Sequence, residues 1–361
     1  MENHDVRSKI DGQKIGEIHF KTTEELDNFL SSVIISHPTY LIYAIKSIIE
    51  DNRNQLITLL ISEIGKPYSE SAYEVEQCLD ILETFLEPTI IENKQDSLLI
   101  IGSIANPLYE LVSIICENVY KYEKFIYKPS SKSSFTLDFL YQKMVEDIEI
   151  CSKLFVMPMT KDNFDTILKS NKYSFNTIIN FSRAKISQHT NLITASQKDQ
   201  IVLIDSNTDL EIAVAYITEN LFNFSKFNMS RVQHIFVQKD VKNEFLEKII
   251  SKINLLLKPG RVDKPDINFS DILRFYKRTN FREDLLEMIS QGVDIVYGSV
   301  EEILKSPIIL SLNEKYEEYY KKSFWYPILF IIEYDTYRLP ELLKPFKNFK
   351  VKSFLNDNNS F

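Results

Sequence analysis

Short apolar segments alternate with stretches of helical periodicity through most of this chain of 361 residues. Each short segment has the length and the β-branched or aromatic content of a buried strand, whereas apolar residues recur at helical spacing between them. Strands that alternate with helices predict an α/β protein with a parallel, doubly wound sheet. The predicted strands are Leu98–Ile101, Phe125–Tyr127, Leu154–Val156, Thr177–Ile179 and Ile201–Ile204, and the predicted helices between them are Leu108–Asn118, Ser134–Met144 and Asn163–Leu168.

Three regions follow one another in the predicted organisation. Residues 1–21 are polar and aperiodic, and we expect a flexible N-terminal arm. Tyr40–Ile61 and Glu70–Leu86 have helical periodicity, so residues 22–219 should contain a helical region followed by a Rossmann-like sheet. A second α/β domain is predicted over residues 220–361. Its predicted elements are strand Val232–Val237, helix Val241–Leu257 and strands Ile295–Tyr297, Ile308–Leu312 and Ile328–Ile332.

Composition argues against several classes of partner and compartment. The net charge is −9 and basic residues occur singly, which argues against nucleic acid as a partner. No apolar run approaches the length of a membrane span, and no signal-like segment follows Met1. The three cysteines, Cys78, Cys116 and Cys151, are odd in number and far apart, which favours reduced thiols in a cytoplasmic protein.

Several short motifs occur in a fixed order along the chain. They are Glu63–Pro67 (Glu-Ile-Gly-Lys-Pro), Gly102–Leu108 (Gly-Ser-Ile-Ala-Asn-Pro-Leu), Tyr127–Ser130 (Tyr-Lys-Pro-Ser), Gln200–Val202 with Asp209-Leu210, Leu221–Gln238, and Phe324–Leu329 (Phe-Trp-Tyr-Pro-Ile-Leu). In this order and at these spacings they resemble elements of the aldehyde dehydrogenase superfamily. The resemblance implies an aldehyde dehydrogenase-like α/β fold with a helical N-terminal region, a Rossmann-like parallel sheet and a second α/β domain.

The resemblance also indicates where the catalytic groups of that family would lie. The cysteine nucleophile aligns with Met229 when counted back from Val237, and with Asn228 when counted forward from Asn223. Neither a thioether nor an amide can attack a carbonyl to form a thiohemiacetal. The family's glutamate base aligns with Ile193, which cannot carry a proton. No catalytic residue is therefore predicted.

The positions that the resemblance implies for a nicotinamide cofactor are also altered. Two glycines of the family's cofactor loop align with Phe181 and Ile186, whose side chains would block close approach of a pyrophosphate, and we expect at least one to fill the crevice. The chain has 7 glycines, whereas average usage would give about 25. Lys128 aligns with the lysine that contacts the adenosine ribose and is the candidate cofactor-binding residue. The alternative for Lys128 is a strand-end lysine that reaches into solvent.

Other family positions are altered as well. The oxyanion-stabilising asparagine aligns with Ala105, although Asn106 is adjacent, and the glutamate that holds the nicotinamide ribose aligns with Ser323. The chain ends at Phe361, before the family's final segment, so we expect a C-terminally shortened member with a truncated catalytic-like domain.

Replacement chemistry has little support in the sequence. Cys151 lies far from the expected site, and a Ser230–His234 pair would still need an orienting group and an oxyanion hole. The five histidines show no ligand spacing, so no metal site is predicted.

Three functions remain open from the sequence. The first is a degenerate, pseudoenzyme-like scaffold or binding protein without dehydrogenase activity and without a cofactor, which acts through a protein partner or as a homo-oligomer. The second is an active NAD(P)-dependent aldehyde oxidoreductase with a displaced or shared active site. The third is a nucleotide-sensing module that binds NAD or NADP weakly through Lys128.

Overall fold

The computed structural model describes residues 3–34, 37–86, 94–170, 172–182, 186, 191–194, 200–222, 232–270, 281–302, 305–312, 319, 327–346 and 349–354. The chain divides into two compact units, Met1–Ser196 and Gln197–Phe361. The division lies earlier than the boundary predicted at residue 220. The reason is that strand β8 (Gln200–Ile204) and helix α9 (Leu210–Phe222) contribute their apolar side chains to the core of the second unit.

An antiparallel hairpin of β1 (Asn3–Arg7) and β2 (Lys14–His19) opens the first unit. Ile18 is buried, and a Cβ on Gly16 would lie 2.1 Å from the ring of Phe135. Glycine therefore lets β2 approach helix α6 (Ser134–Met144) closely. The flexible arm predicted for residues 1–21 is corrected to this hairpin. The hairpin could not be predicted from hydrophobic periodicity, because few side chains of these two strands are apolar.

The helical region that follows has the predicted amphipathic character. Its elements are α1 (Thr23–Ser31), α2 (Pro38–Asp51), α3 (Arg53–Leu59), a π-helical turn at Leu60–Ile64, and α4 (Tyr68–Glu83). Thr22 and Glu25 form a capping box at the start of α1. Gly65 ends the π-helical turn with φ of 78°, a left-handed conformation that favours glycine.

Five parallel strands form the sheet of the first unit, in the order β5-β4-β3-β6-β7. The strands and the helices between them are β3 (Gln95–Ile101), α5 (Pro107–Asn118), β4 (Tyr122–Lys128), α6, α7 (Ile148–Lys153), β5 (Leu154–Val156), α8 (Lys161–Lys169), β6 (Thr177–Asn180) and β7 (Leu192–Thr194). The predicted strands of this sheet are confirmed. Central residues such as Leu99, Ile126 and Ile178 are buried, which explains their continuous apolar runs.

A six-stranded sheet in the order β12-β13-β14-β9-β8-β15 forms the centre of the second unit. All its neighbouring strands are parallel except β12 and β13, which are antiparallel. The remaining elements are β9 (Val232–Gln238), α10 (Lys242–Leu256), the short pair β10 (Pro259–Gly260) and β11 (Phe269–Ser270), α11 (Phe281–Ser290), β12 (Asp294–Tyr297), β13 (Ile308–Leu312), β14 (Ile328–Tyr334), α12 (Leu339–Leu342) and β15 (Lys350–Ser353). The α/β class predicted from the sequence is confirmed. Among the described residues, no helix has the length and apolarity needed to cross a bilayer.

Candidate functional site

The order of strands in the first sheet indicates where a ligand crevice would form. From β3 the chain proceeds outward to β4 and β5, and then returns to the other side of β3 to form β6 and β7. In open α/β sheets, ligands bind outside the carboxyl ends of the strands at the point where the strand order reverses. The crevice is therefore expected beside Ile101 at the end of β3 and Asn180 at the end of β6.

The loop after β3 uses its glycine for packing. Gly102 N donates to Lys128 O at 2.9 Å, which continues the pairing of β3 with β4. A Cβ on Gly102 would lie 2.1 Å from the hydroxyl of Tyr127, so glycine is required for the close approach of this buried side chain. Gly102 is therefore needed for packing in the core. The backbone N–H of the next residue, Ser103, donates to Glu110 at 2.7 Å.

Glu110 is a buried carboxyl group beneath this loop. Besides the Ser103 backbone, the hydroxyl of Ser103 donates to its Oε1, and the hydroxyl of Tyr127 donates to its Oε2 at 3.4 Å. Burial raises the pKa of Glu110 to about 7, although the hydrogen bonds from Ser103 act in the opposite direction. The loop N–H that could face an anionic ligand is thus already bonded within the protein.

A buried ion pair fixes the motif that contains Lys66. Lys66 and Glu74 are 3% and 0% exposed, and Lys66 Nζ donates to Glu74 Oε2 at 2.6 Å. The same ammonium donates to Asn106 Oδ1 at 2.7 Å and to Ala105 O at 2.9 Å. Asn106 is buried, and its side-chain oxygen is bound by Lys66. Both residues considered for the oxyanion-stabilising position, Ala105 and Asn106, are therefore hydrogen-bonded to the same ammonium.

Two helix N-termini in this unit bind the chain's own carboxylates. Glu74 Oε1 accepts hydrogen bonds from Leu108 N at 2.9 Å and Tyr109 N at 3.2 Å, in the first turn of α5. Glu63 accepts from Phe135 N and Thr136 N, both at 2.7 Å, in the first turn of α6. Helix N-termini favour anions, and a carboxylate from the protein satisfies both of these.

Glu63 is a second buried carboxyl group whose pKa is raised. Its side chain is buried, and burial raises its pKa to about 7 against the hydrogen bonds from Thr136 and Phe135. The interior positions of Glu63, Glu74 and Glu110 were not predicted from the sequence. The sequence contains a signal for Glu110, which lies on the same helix face as the buried Ile114, four residues later.

The turn after β6 is where the sequence predicts the altered cofactor loop. Phe181 N donates to Ile101 O at 2.8 Å, and Asn180 Oδ1 accepts from Ser182 N at 2.9 Å and from Ser182 Oγ at 2.7 Å. Phe181 is 8% exposed, so its side chain is buried. Ile186 is half-buried, and residues 183–185 lie outside the described residues.

Lys128 lies at the carboxyl end of β4, beside the end of β3. Its Nζ donates to Pro129 O at 2.9 Å and lies 5.4 Å from the centroid of the Phe164 ring. Burial lowers the pKa of Lys128, with Asp165 acting in the opposite direction. The side chain is therefore folded against its own strand end at the crevice edge, in contrast to the solvent-exposed alternative.

The structure describes some of the positions that align with the family's catalytic groups. Ile193, at the position of the base, lies on the edge strand β7 and is 55% exposed. Met229, Asn228, Ser230 and Ser323 lie outside the described residues. His234 is buried on β9, with ring centroids of Phe330 and Phe346 each 5.1 Å away. Within the described part of the chain, no group of three or more His, Cys, Asp or Glu side chains could hold a metal ion.

All three cysteines lie in the first unit. Cys78 is on α4, Cys116 on α5 and Cys151 on α7, and none forms a disulfide. Burial raises the pKa of Cys78 well above its usual value, that of Cys116 to about 12, and that of Cys151 also upward. Because α7 leads directly into β5, Cys151 lies at the amino edge of the sheet, opposite the crevice.

Comparison with known proteins gives a consistent result. Residues 182–339 match the model of the aldehyde dehydrogenase family. The fold is similar to that of an oxidoreductase from Marinobacter aquaeolei, with a TM-score of 0.79, 15% identity, and coverage of 99% of this chain and 83% of that one. An NAD-dependent benzaldehyde dehydrogenase from Corynebacterium glutamicum has a TM-score of 0.75, 13% identity and coverage of 99% and 86%. For glyceraldehyde-3-phosphate dehydrogenase GapN from Methanocaldococcus jannaschii, complexed with NADP, the values are 0.73, 16%, 94% and 82%. A search of curated proteins finds no significant match.

Proposed function

We propose that this chain is a member of the aldehyde dehydrogenase superfamily and that it acts as a scaffold or binding protein without dehydrogenase activity. The observation that carries this proposal is the position of its cysteines, whose pKa values are raised by burial. Aldehyde oxidation through a thiohemiacetal needs a thiolate nucleophile. The sequence has no cysteine between residues 197 and 361, and each of the three in the first unit has a pKa above its usual value.

The described part of the cofactor crevice supports the same proposal. The turn after β6 carries the buried Phe181 where the resemblance has glycine, and its N–H is bonded to Ile101. The loop after β3 bonds its first N–H groups to Lys128 and Glu110. A pyrophosphate needs free N–H donors and space beside them, so these residues do not fit a dinucleotide.

The partner that fits this proposal is a protein or a second copy of the chain. The net charge of −9 disfavours nucleic acid. Three free thiols are typical of a reducing compartment, which supports a cytoplasmic location.

Activity measurements test the proposal directly. The purified protein should show only background turnover with short and long aliphatic aldehydes and with aromatic aldehydes, in the presence of NAD or NADP. Turnover that is lost in a Cys151→Ala variant and kept in a Cys116→Ala variant would instead support an active dehydrogenase that uses Cys151 as its nucleophile. Turnover lost in neither variant would also contradict the proposal and would indicate a nucleophile other than these two thiols.

Lys128 favours a second candidate, the weak nucleotide sensor, because it lies at the crevice edge beside Gly102. A ligand at 100 times its dissociation constant stabilises a protein by about 2.7 kcal/mol, which thermal unfolding detects. We expect no shift with NAD or NADP. A shift that disappears in Lys128→Met, but persists in the exposed-lysine control Lys161→Met, would establish the sensor instead.

A further inference from the structure

The carboxyl end of α1 places a group of oxygen atoms around one buried ammonium. Lys124 Nζ donates to Phe29 O, Leu30 O and Ser32 O, each at 2.7 Å, and Ser32 Oγ lies 3.4 Å away. Lys124 is 6% exposed, and its Nζ lies 5.3 Å from the centroid of the Phe29 ring. The ammonium is therefore surrounded by four oxygen atoms and lies beside an aromatic ring.

The local structure explains why these oxygens are available to a cation. The last four carbonyl groups of an α-helix have no partner within the helix, and α1 ends at Ser31. The helix dipole also makes this end partially negative, which favours a positive charge. Lys124 pairs with Ser97 in the register of β4 and β3, and both side chains are buried. The sheet therefore supplies the cation that the helix end requires.

The oxygen atoms around Lys124 Nζ suit a monovalent cation. All four are uncharged, since three belong to peptide carbonyls and one to a hydroxyl. Sites for divalent cations use carboxylates and shorter distances, about 2.0–2.1 Å for Mg²⁺ and about 2.3–2.6 Å for Ca²⁺. Backbone carbonyl oxygens alone coordinate K⁺ in selective channels, where they replace its hydration shell.

A polar cleft of 650 Å³ gives access to this position from solvent. Leu30, Ser32, Ser97 and Lys124 contribute to its lining, and all of its walls belong to the first unit. The cleft offers a dissolved ion a path to the carbonyl oxygens when the lysine side chain is shortened. It also has room for water molecules as further ligands of such an ion.

We infer that the carboxyl end of α1 is a monovalent-cation site that the protein fills with the ammonium of Lys124. In the native chain this internal cation takes the place of a dissolved ion and connects α1 to β4. Shortening the lysine side chain opens the site to K⁺ or NH₄⁺. The inference is independent of the proposed function, since it involves no residue of the crevice.

Thermal unfolding of the full-length Lys124→Ala variant in chloride salts of equal ionic strength tests the inference. The variant should unfold at a higher temperature in KCl or NH₄Cl than in choline chloride, and the increase should saturate with ion concentration. The wild type should show no saturating increase, because its site is filled. Lys153→Ala is the matched control, since Lys153 is also buried but its ammonium has no hydrogen-bond partner among the described residues. It should not respond to K⁺.

Several results would overturn the inference. One is a Lys124→Ala variant that does not respond to K⁺, and another is an equal response of Lys153→Ala, which would indicate a general effect of salt. Lys124→Met fills much of the same space with an apolar side chain, so a response equal to that of Lys124→Ala would place the ion elsewhere. If Lys124→Ala is unfolded in choline chloride, circular dichroism should show that K⁺ restores its fold. A variant that stays unfolded at high K⁺ concentration would contradict the inference.

Discussion

Lys153, the last residue of α7, is 0% exposed, and its ammonium has no hydrogen-bond partner among the described residues. Burial lowers its pKa to about 8, with Lys94 acting in the same direction. A lysine whose folded pKa lies below its unfolded value destabilises the fold most where both states are charged, below pH 8. That cost disappears as pH rises from about 8 toward the unfolded value of about 10.4.

Replacing this charge should stabilise the protein. We expect Lys153→Met to raise the free energy of unfolding at pH 7 by on the order of 2 kcal/mol, because a buried ammonium is exchanged for an apolar side chain of similar size. The gain should shrink when urea unfolding is repeated at pH 9.5. Lys161→Met, at an exposed site, should change little at either pH. A less stable Lys153→Met variant would show that the ammonium has a compensating partner.

Glu110 gives the opposite dependence on pH. Its folded pKa of about 7 is above the unfolded value near 4.5, so the native state holds a proton that the unfolded chain releases between these values. Stability should therefore fall as pH rises from 5 to 7 and level off above 7. In Glu110→Gln, the decrease of the free energy of unfolding with pH should be less steep by up to about 1.4 kcal/mol per pH unit. Glu117→Gln, on the exposed face of the same helix, is the matched control, and equal slopes in both variants would contradict the assignment.

At the scale of elements, the Lys66–Glu74 pair connects the end of the π-helical turn and α4 with the start of α5. Removing one partner leaves the other charge buried and uncompensated, so we expect Lys66→Met and Glu74→Leu each to cost about 3–5 kcal/mol. The double variant should cost clearly less than the sum. Urea unfolding of the four proteins completes the double-mutant cycle. Additive costs would show that the two side chains act independently.

The elements also show what the sequence could reveal. The apolar parts of the parallel strands β3, β4 and β14 were located from the sequence, because buried strands are rich in apolar residues. The polar first three residues of β3 and of β4 were not included in the predicted strands. The hairpin β1–β2 was not predicted, because its strands are largely polar and their pairing is visible only in three dimensions. In the candidate site, too, contacts between residues distant in sequence could not be predicted from the sequence. Motif positions such as Phe181 and Lys128 could be located, whereas the carboxylates bound to helix N-termini required the fold.

At the scale of the whole molecule, the two units have separate cores and separate sheets. Among the described residues, the hydrogen-bond donors to Glu63 and Glu110 lie in Met1–Ser196. We therefore expect a fragment of residues 1–196 to fold, and its stability to fall between pH 5 and 7, because both carboxyl groups have folded pKa values of about 7. A fragment of residues 197–361 should lack this part of the pH dependence. Urea unfolding of both fragments and of the full chain provides the measurement. An unfolded first fragment would show that its core depends on the second unit, and a folded fragment with a flat profile would place the origin of the pH dependence elsewhere.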